Sequence, residues 1–327
     1  QDWPPFLRVH ELFVLIPPLL GLNGNLEQTL VARLSTQANL GNLNRLSDQL
    51  PMIFANMALL QCQSTVATLV ACILAIFKGL AFNEDFELSN VAFLVAGALA
   101  AINLATLLLS SIMSAVVILS KKYEKNPENI APAIAASFGD LTTLALLATS
   151  VMLLQDHRAL IPVVIVGCLL PLPLWIALAQ RNNVSKNVLR VGWAPILLAL
   201  IVSSFGGFIL DYSVMRFPGI ALHLSSVNAL GGNLAAIFSC SLSSYLFRVS
   251  QLGVLPAGER TCTGPVQMFL PRGEMSNVAI VLLVVVLPGQ TLFAVLSKVL
   301  RFGYISMSLA FLLAYLAASL AQVCTSL

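Results

Sequence analysis

Hydrophobic residues in this chain follow neither an alternating pattern nor a single helical stripe; they come in long unbroken runs separated by short charged segments. A helix needs about 20 apolar residues to cross the ~30 Å hydrocarbon core of a bilayer, so the distance between successive charges is the informative length. Seven runs are free of Asp, Glu, Lys and Arg for at least 20 residues: 49–77, 88–120, 159–180, 191–210, 217–247, 275–297 and 302–327. Two more qualify if one carboxylate is tolerated in each, 12–32 with Glu27 and 129–155 with Asp140. Nine spans are therefore predicted. Lipid offers no hydrogen bonds to an open backbone, and barrel strands would alternate, so the runs read as helices. The fold class is all-α, a polytopic integral membrane helical bundle.

Composition agrees. Of 327 residues, 58% are hydrophobic and only 9% charged, with mean hydropathy +0.90, against about 25% charged residues in soluble domains. Seventeen basic and 14 acidic side chains cannot coat a water-soluble surface of this size. The net charge of +3, with no basic run longer than Lys121 and Lys122, leaves no footprint for nucleic acid. Six cysteines without a C-x-x-C pair, all but Cys262 inside apolar runs, argue against a disulfide framework or a zinc site. Lys and Arg orient the chain: ten lie in one alternating set of loops, including Arg181, Lys186 and Arg190, and five in the other. The richer set is expected in the cytosol, with the N-terminus outside. The chain opens on Gln1 without a charged leader and reads as a piece of a longer protein.

Carboxylates carry the candidate chemistry. Twelve of the 14 acids fall in loops or near helix ends, Glu11 and Asp211 among them; Glu27 and Asp140 do not. A mid-membrane carboxylate costs about 2.5 to 3.5 kcal/mol on insertion scales and is by default a functional group whose partner must be named. Neither run offers Lys or Arg at close helical spacing, since Arg33 is six residues from Glu27 near the helix end, so a cation from solution is the expected counter-charge. Ser137 and Thr143 lie three residues either side of Asp140 and share its face. Pro132 frees a backbone carbonyl and Gly139 is expected to let a neighbouring backbone approach closely. Around Glu27, Asn25 and Thr29 add oxygens, while Gly21 and Gly24 permit unwinding. Oxygen donors without Cys or His select hard dications such as Mg²⁺ or Ca²⁺, and so few carboxylates favour an ion that keeps most of its waters. The bland alternatives are an Asp140 hydrogen-bonded as helix glue and a Glu27 snorkelling to the interface.

One internal repeat stands out. GLNGNLEQTLVARLST (21–36) and ALGGNLAAIFSCSLSS (229–244) align at an offset of 208, sharing G-N-L and, eight residues on, L-S. The copies lie six spans apart and point the same way through the membrane, which implies a pseudo-two-fold axis along the membrane normal with the permeant near it. Enzyme signatures are missing. SFGD (137–140) resembles the G-x-G-D of intramembrane aspartyl proteases, but Ser137 stands at the first glycine and the Tyr-Asp partner is absent; no P-loop, H-E-x-x-H or G-x-S-x-G occurs.

The segments 9–41, NPENIAPAIAASFGDLTTLALLA (126–148), SSFGGFILD (203–211) and LGGNLAAIFSCSLSSYL (230–246) resemble solute carrier family 41, eukaryotic relatives of MgtE-type magnesium channels. The resemblance implies a Mg²⁺ transporter of two MgtE-like repeats with a route between them, and Na⁺ as the coupling ion of efflux. It implies repeat one at 1–154 without its first helix, a linking helix and loop at 155–190, and repeat two at 191–327 without its last. Asp140 becomes the pore aspartate, with Asn25, Glu27 and Asn233 on the route and Gly24 and Gly232 beside them. Phe238 and Ser241 replace a Gln and an Arg of the family's second motif, and the twin of Asp140 falls beyond Leu327. The expected residence is the plasma membrane, with the mitochondrial inner membrane as alternative. The competing reading is a non-transporting isoform or scaffold that associates with itself or with full-length family members through small-residue helix faces.

Overall fold

The computed structural model describes residues 12–39, 41–43, 46–81, 88–125, 127–216, 220–250, 254, 274–300 and 309–326. These are helical throughout their ordered elements, and the chain divides into two compact units, Gln1–Arg216 and Phe217–Leu327.

The first unit is built around α1 (Leu12–Asn39). Leu15, Leu19, Leu22, Leu26, Leu30 and Leu34 recur at three- and four-residue intervals and are all buried, the stripe that commits one helix face to a core. Around α1 pack α2 (Leu46–Ala81), α3 (Leu88–Lys122), α4 (Pro127–Asp156) and α8 (Trp193–Arg216). Pro18 has no N–H, so the Val14 carbonyl loses its intrahelical donor. The backbone of Gly207 on α8 comes in against it, with the position a Cβ would take only 2.4 Å from that oxygen, a contact open only to a residue that presents a Cα hydrogen there. At the other end, Gly41 adopts φ 81° and donates to the Ala38 carbonyl at 3.1 Å while Asn42 N donates to the Gln37 carbonyl. Lys121 Nζ also donates to the Ala38 carbonyl, placing a cation at the negative end of the helix.

Between α4 and α8 the sequence predicts one span and a loop, and the structure differs. The span is a 3₁₀ turn (Arg158–Leu160) followed by two helices, α5 (Ile161–Leu169) and α6 (Leu172–Ala179), divided where Pro171 and Pro173 each remove a backbone donor. The loop is a helix, α7 (Asn183–Val191), started by Asn182, whose side chain accepts from Val184 N and Ser185 N.

The second unit contains α9 (Ile220–Val249), α10 (Glu274–Leu300) and α11 (Leu309–Ser326) around Leu234, Val286 and Val323. His223 is enclosed edge-on by the rings of Phe293, Phe311 and Tyr315. Ser226, Gln290 and Tyr315 are joined by hydrogen bonds beneath it.

Among the described residues six helical stretches are long and apolar enough to cross a membrane: Gln49–Ala81, Val91–Lys122, Phe138–Asp156, Arg158–Ala179, Trp193–Ser213 and Ser276–Leu300. Shorter apolar stretches lie at Leu230–Ser243 and Leu309–Cys324. Of the predicted nine, the one at 12–32 fails on hydropathy because Asn23, Asn25, Glu27 and Gln28 interrupt it. It is nonetheless the best-buried helix of its unit, surrounded by protein on four sides. The sequence-derived boundaries at 154 and 190 do not coincide with the compact units, since α8 packs on α1 and belongs to the first.

Two polar rims lie toward opposite ends of α2, inside its apolar stretch Gln49–Ala81. At one, Arg33 Nε donates to Asn56 Oδ1 at 3.0 Å, and just above it Ala58 and Leu59 receive Ala179, Trp175 and the α7 residues Val188 and Leu189. At the other, Lys78 Nζ lies 2.7 Å from Asp211 Oδ2, both side chains nearly buried. Asn56 and Lys78 are both on α2, which at 1.5 Å per residue puts the rims about 33 Å apart.

Candidate functional site

Asn23 and Glu27 are four residues apart on α1 and point together into the bundle, both 1% exposed. Asn23 Nδ2 donates to Thr143 Oγ1 of α4 at 2.8 Å, and Thr106 Oγ1 of α3 donates to Asn23 Oδ1 at 3.2 Å. One amide thus ties three helices and fixes how α1 is rotated against α4.

One turn further along α1, and one turn back along antiparallel α4, the Glu27 carboxylate meets Gly139. A Cβ on Gly139 would lie 3.0 Å from Glu27 Oε2. The close neighbour that the glycine was expected to admit is therefore a carboxylate rather than a backbone. Asp140 follows immediately, half-buried and within electrostatic reach of Glu27. Both Glu27 oxygens are buried without a hydrogen-bond partner. Leaving a buried carboxylate charged without a partner costs several kcal/mol, so Glu27 is a group that a cation or a proton must neutralise. Glu27 sits six residues from Arg33, about 9 Å inside the Arg33–Asn56 rim along the helix axis.

The structure brings together only part of the predicted set. Glu27 and Asp140 come together, and Thr143 bonds to Asn23 one turn away. Asn25 is exposed on the opposite side of α1 from Asn23, and Thr29 is exposed and bonded to its own helix at the Leu26 carbonyl, 2.9 Å away; neither joins the carboxylates. Gly24 has open space where a side chain would stand, as does Gly232 in the second unit. Asn233, next to Gly232, is half-buried on α9. The side chain of Ser137 lies outside the described residues. Among the described residues no three His, Cys, Asp or Glu side chains form a cluster, so a dication here would rely on two carboxylates, neutral oxygens and its own waters.

Three features escaped the sequence reading. Asn23, not Asn25, is the inward amide. Asp211, taken as a helix-end acid, is buried and ion-paired with Lys78; Lys78 ending one apolar run as Asp211 ends another was the available signal. Gln63 on α2 is fully buried with neither amide atom partnered, a polar residue inside a charge-free run that a count of charges passes over.

Comparison with known proteins gives one consistent answer. The family model for MgtE, divalent cation transporter, matches residues 16–150, which contain the whole α1–α4 carboxylate site. The chain is 39% identical over 329 residues to solute carrier family 41 member 3 of Rattus norvegicus, covering 99% of this chain and 71% of that protein. It is 39% identical to the Mus musculus member 3, covering 67% of it, and 38% identical to the Homo sapiens member 2, covering 58%. No solved structure matches.

Proposed function

Because the chain belongs to solute carrier family 41, we propose that it is a membrane transporter that moves Mg²⁺ past the carboxylates of Glu27 and Asp140. The observation that carries this reading is the buried Glu27 carboxylate with two unpartnered oxygens facing Gly139 and its neighbour Asp140. Among the described residues none bonds to either oxygen, which supports a site that receives a cation. Two carboxylates supply the charge a dication needs, and the missing Cβ of Gly139 lets the Glu27 carboxylate come up against α4 beside Asp140. Mg²⁺ is the dication that dehydrates reluctantly and is held through one or two carboxylates with waters retained. Asn23, locked to Thr106 and Thr143, is a positioning residue: it keeps Glu27 turned toward α4. On this reading Asn25, Thr29, Gly24, Gly232 and Asn233 contribute exposed or half-buried polar and small positions along the route, Na⁺ is the coupling ion, and the plasma membrane is the residence.

The test is flux in proteoliposomes loaded with a Mg²⁺-sensitive dye. Glu27→Gln and Asp140→Asn each lower Mg²⁺ flux by about tenfold or more, equivalent to 1.4 kcal/mol of ion affinity, and Na⁺ on the opposite side accelerates the wild type. Unchanged flux in both variants, with partner pull-down altered instead, would favour the scaffold reading.

A further inference from the structure

Seven of the nine residues of α7 divide by helical position, while Ser185 is buried on the apolar side and Val191 is exposed at the end. Asn183, Lys186, Asn187 and Arg190 recur at intervals of three and four and form a polar face, whereas Val184, Val188 and Leu189 lie on the other side. The apolar side is seated: Val188 and Leu189 pack on the Ala58, Leu59 and Ala179 cluster together with Trp175, and Trp193 Nε1 donates to the Leu189 carbonyl at 2.6 Å. The polar side faces outward. Arg181 and Arg190 are exposed and Lys186 half-buried, and none of the three makes an ion pair among the described residues. The sequence supplies no local counter-charge, because no Asp or Glu occurs between Asp156 and Asp211.

Position distinguishes this helix from an ordinary charged loop. It lies beside the Arg33–Asn56 rim, level with Ala58 and Leu59 and about 30 Å along α2 from the Lys78–Asp211 pair. Two tryptophans flank it, Trp175 before and Trp193 after, the residue type that settles at the boundary between acyl chains and headgroups. The neighbouring helices α6 and α8 present Leu174 at 57% and Leu198 at 65% exposure. Val191, next to Arg190, is 72% exposed, so exposed apolar surface begins at the basic helix itself.

We propose that α7 with Arg181 is a docking surface for anionic phospholipids of the cytosolic leaflet. The phosphate and acidic headgroup pair with Arg181, Lys186 and Arg190, and the acyl chains lie along Leu174 and Leu198. The adjoining apolar surface selects a lipid over a free phosphate, which would have no use for it. An amphipathic helix with basic residues on its polar face is the arrangement that binds in the plane of an anionic interface. Each basic side chain near such a surface contributes about fivefold to association, so three give a preference on the order of a hundredfold at low salt.

The two flanking tryptophans provide the readout. In a Trp3→Phe background, the full chain is reconstituted in phosphatidylcholine vesicles containing either brominated phosphatidylserine or brominated phosphatidylcholine, and quenching of Trp175 and Trp193 is compared. Quenching is stronger with the anionic lipid and the difference fades as salt rises. R181Q/K186Q/R190Q abolishes the difference while quenching by brominated phosphatidylcholine persists, which shows that the tryptophans still sit at the interface. R181K/R190K retains it. Equal quenching by the two lipids in the parent chain, as a face covered by protein would give, overturns the proposal. So does a preference that survives the triple substitution, or one removed by inorganic phosphate but not by chloride at equal ionic strength.

Discussion

Gly139 shapes the candidate site by what it lacks. Adding a methyl group there places a carbon 3.0 Å from Glu27 Oε2, so the carboxylate must move or the helices must part. Gly139→Ala is expected to cost about 1 kcal/mol of stability and to reduce Mg²⁺ flux by about tenfold, the factor that corresponds to 1.4 kcal/mol of ion affinity. Thermal unfolding and proteoliposome flux measured on the same preparation check it; a loss of stability with full flux would take Glu27 off the ion's route. At this scale the sequence was readable where energy is concentrated. A carboxylate inside an apolar run is costly enough to declare itself, so Glu27 and Asp140 stood out, whereas the Thr143 hydroxyl, placed by spacing on the Asp140 face, bonds to Asn23. It was unreadable where the choice is rotational. Asn23 and Asn25, or Glu27 and Thr29, are two residues apart and point to nearly opposite sides of a helix, and only the packing of α1 against α3 and α4 decides which member of each pair faces inward.

Among the elements, α1 is the exception to the rule that membrane helices are apolar. Its buried leucine stripe satisfies its neighbours, but its total hydropathy does not satisfy a bilayer. A chain ending after residue 45 should therefore insert α1 poorly, with less than about half of it integrated, given the 2.5 to 3.5 kcal/mol scale for charged residues at a helix centre. A chain continuing through residue 156 should insert it fully. Glycosylation-site mapping in microsomes reads the difference, and equal insertion of both chains would mean that α1 needs no protein partner. The existence of the long apolar helices was legible from run length alone. The division at Pro171 and Pro173 and the nine-residue α7 were not, because a run free of charges looks the same whether one helix or two carry it, and α7 is too short and too mixed to register in a count of apolar residues.

For the molecule as a whole, the compact units and the sequence repeat obey different logic. The repeat at 21–36 and 229–244 is a likeness of letters, whereas the units are defined by which helices share a core, and α8 shares one with α1 through the Val14–Gly207 contact. Both copies of G-N-L still behave alike within their own units: Leu26 and Leu234 are buried, while Gly24 and Gly232 face open space. The two polar rims have a further consequence. Arg33 with Asn56 and Lys78 with Asp211 act as fixed gauge marks about 33 Å apart on α2, and a rigid gauge is sensitive to hydrophobic mismatch, at a fraction of a kcal/mol per ångström. Transport should accordingly peak in vesicles whose acyl chains give a core of about 30 to 33 Å and decline in both shorter and longer lipids. A flat response across chain lengths would detach the rims from the bilayer boundaries; a peaked one would make membrane thickness a condition under which this protein works.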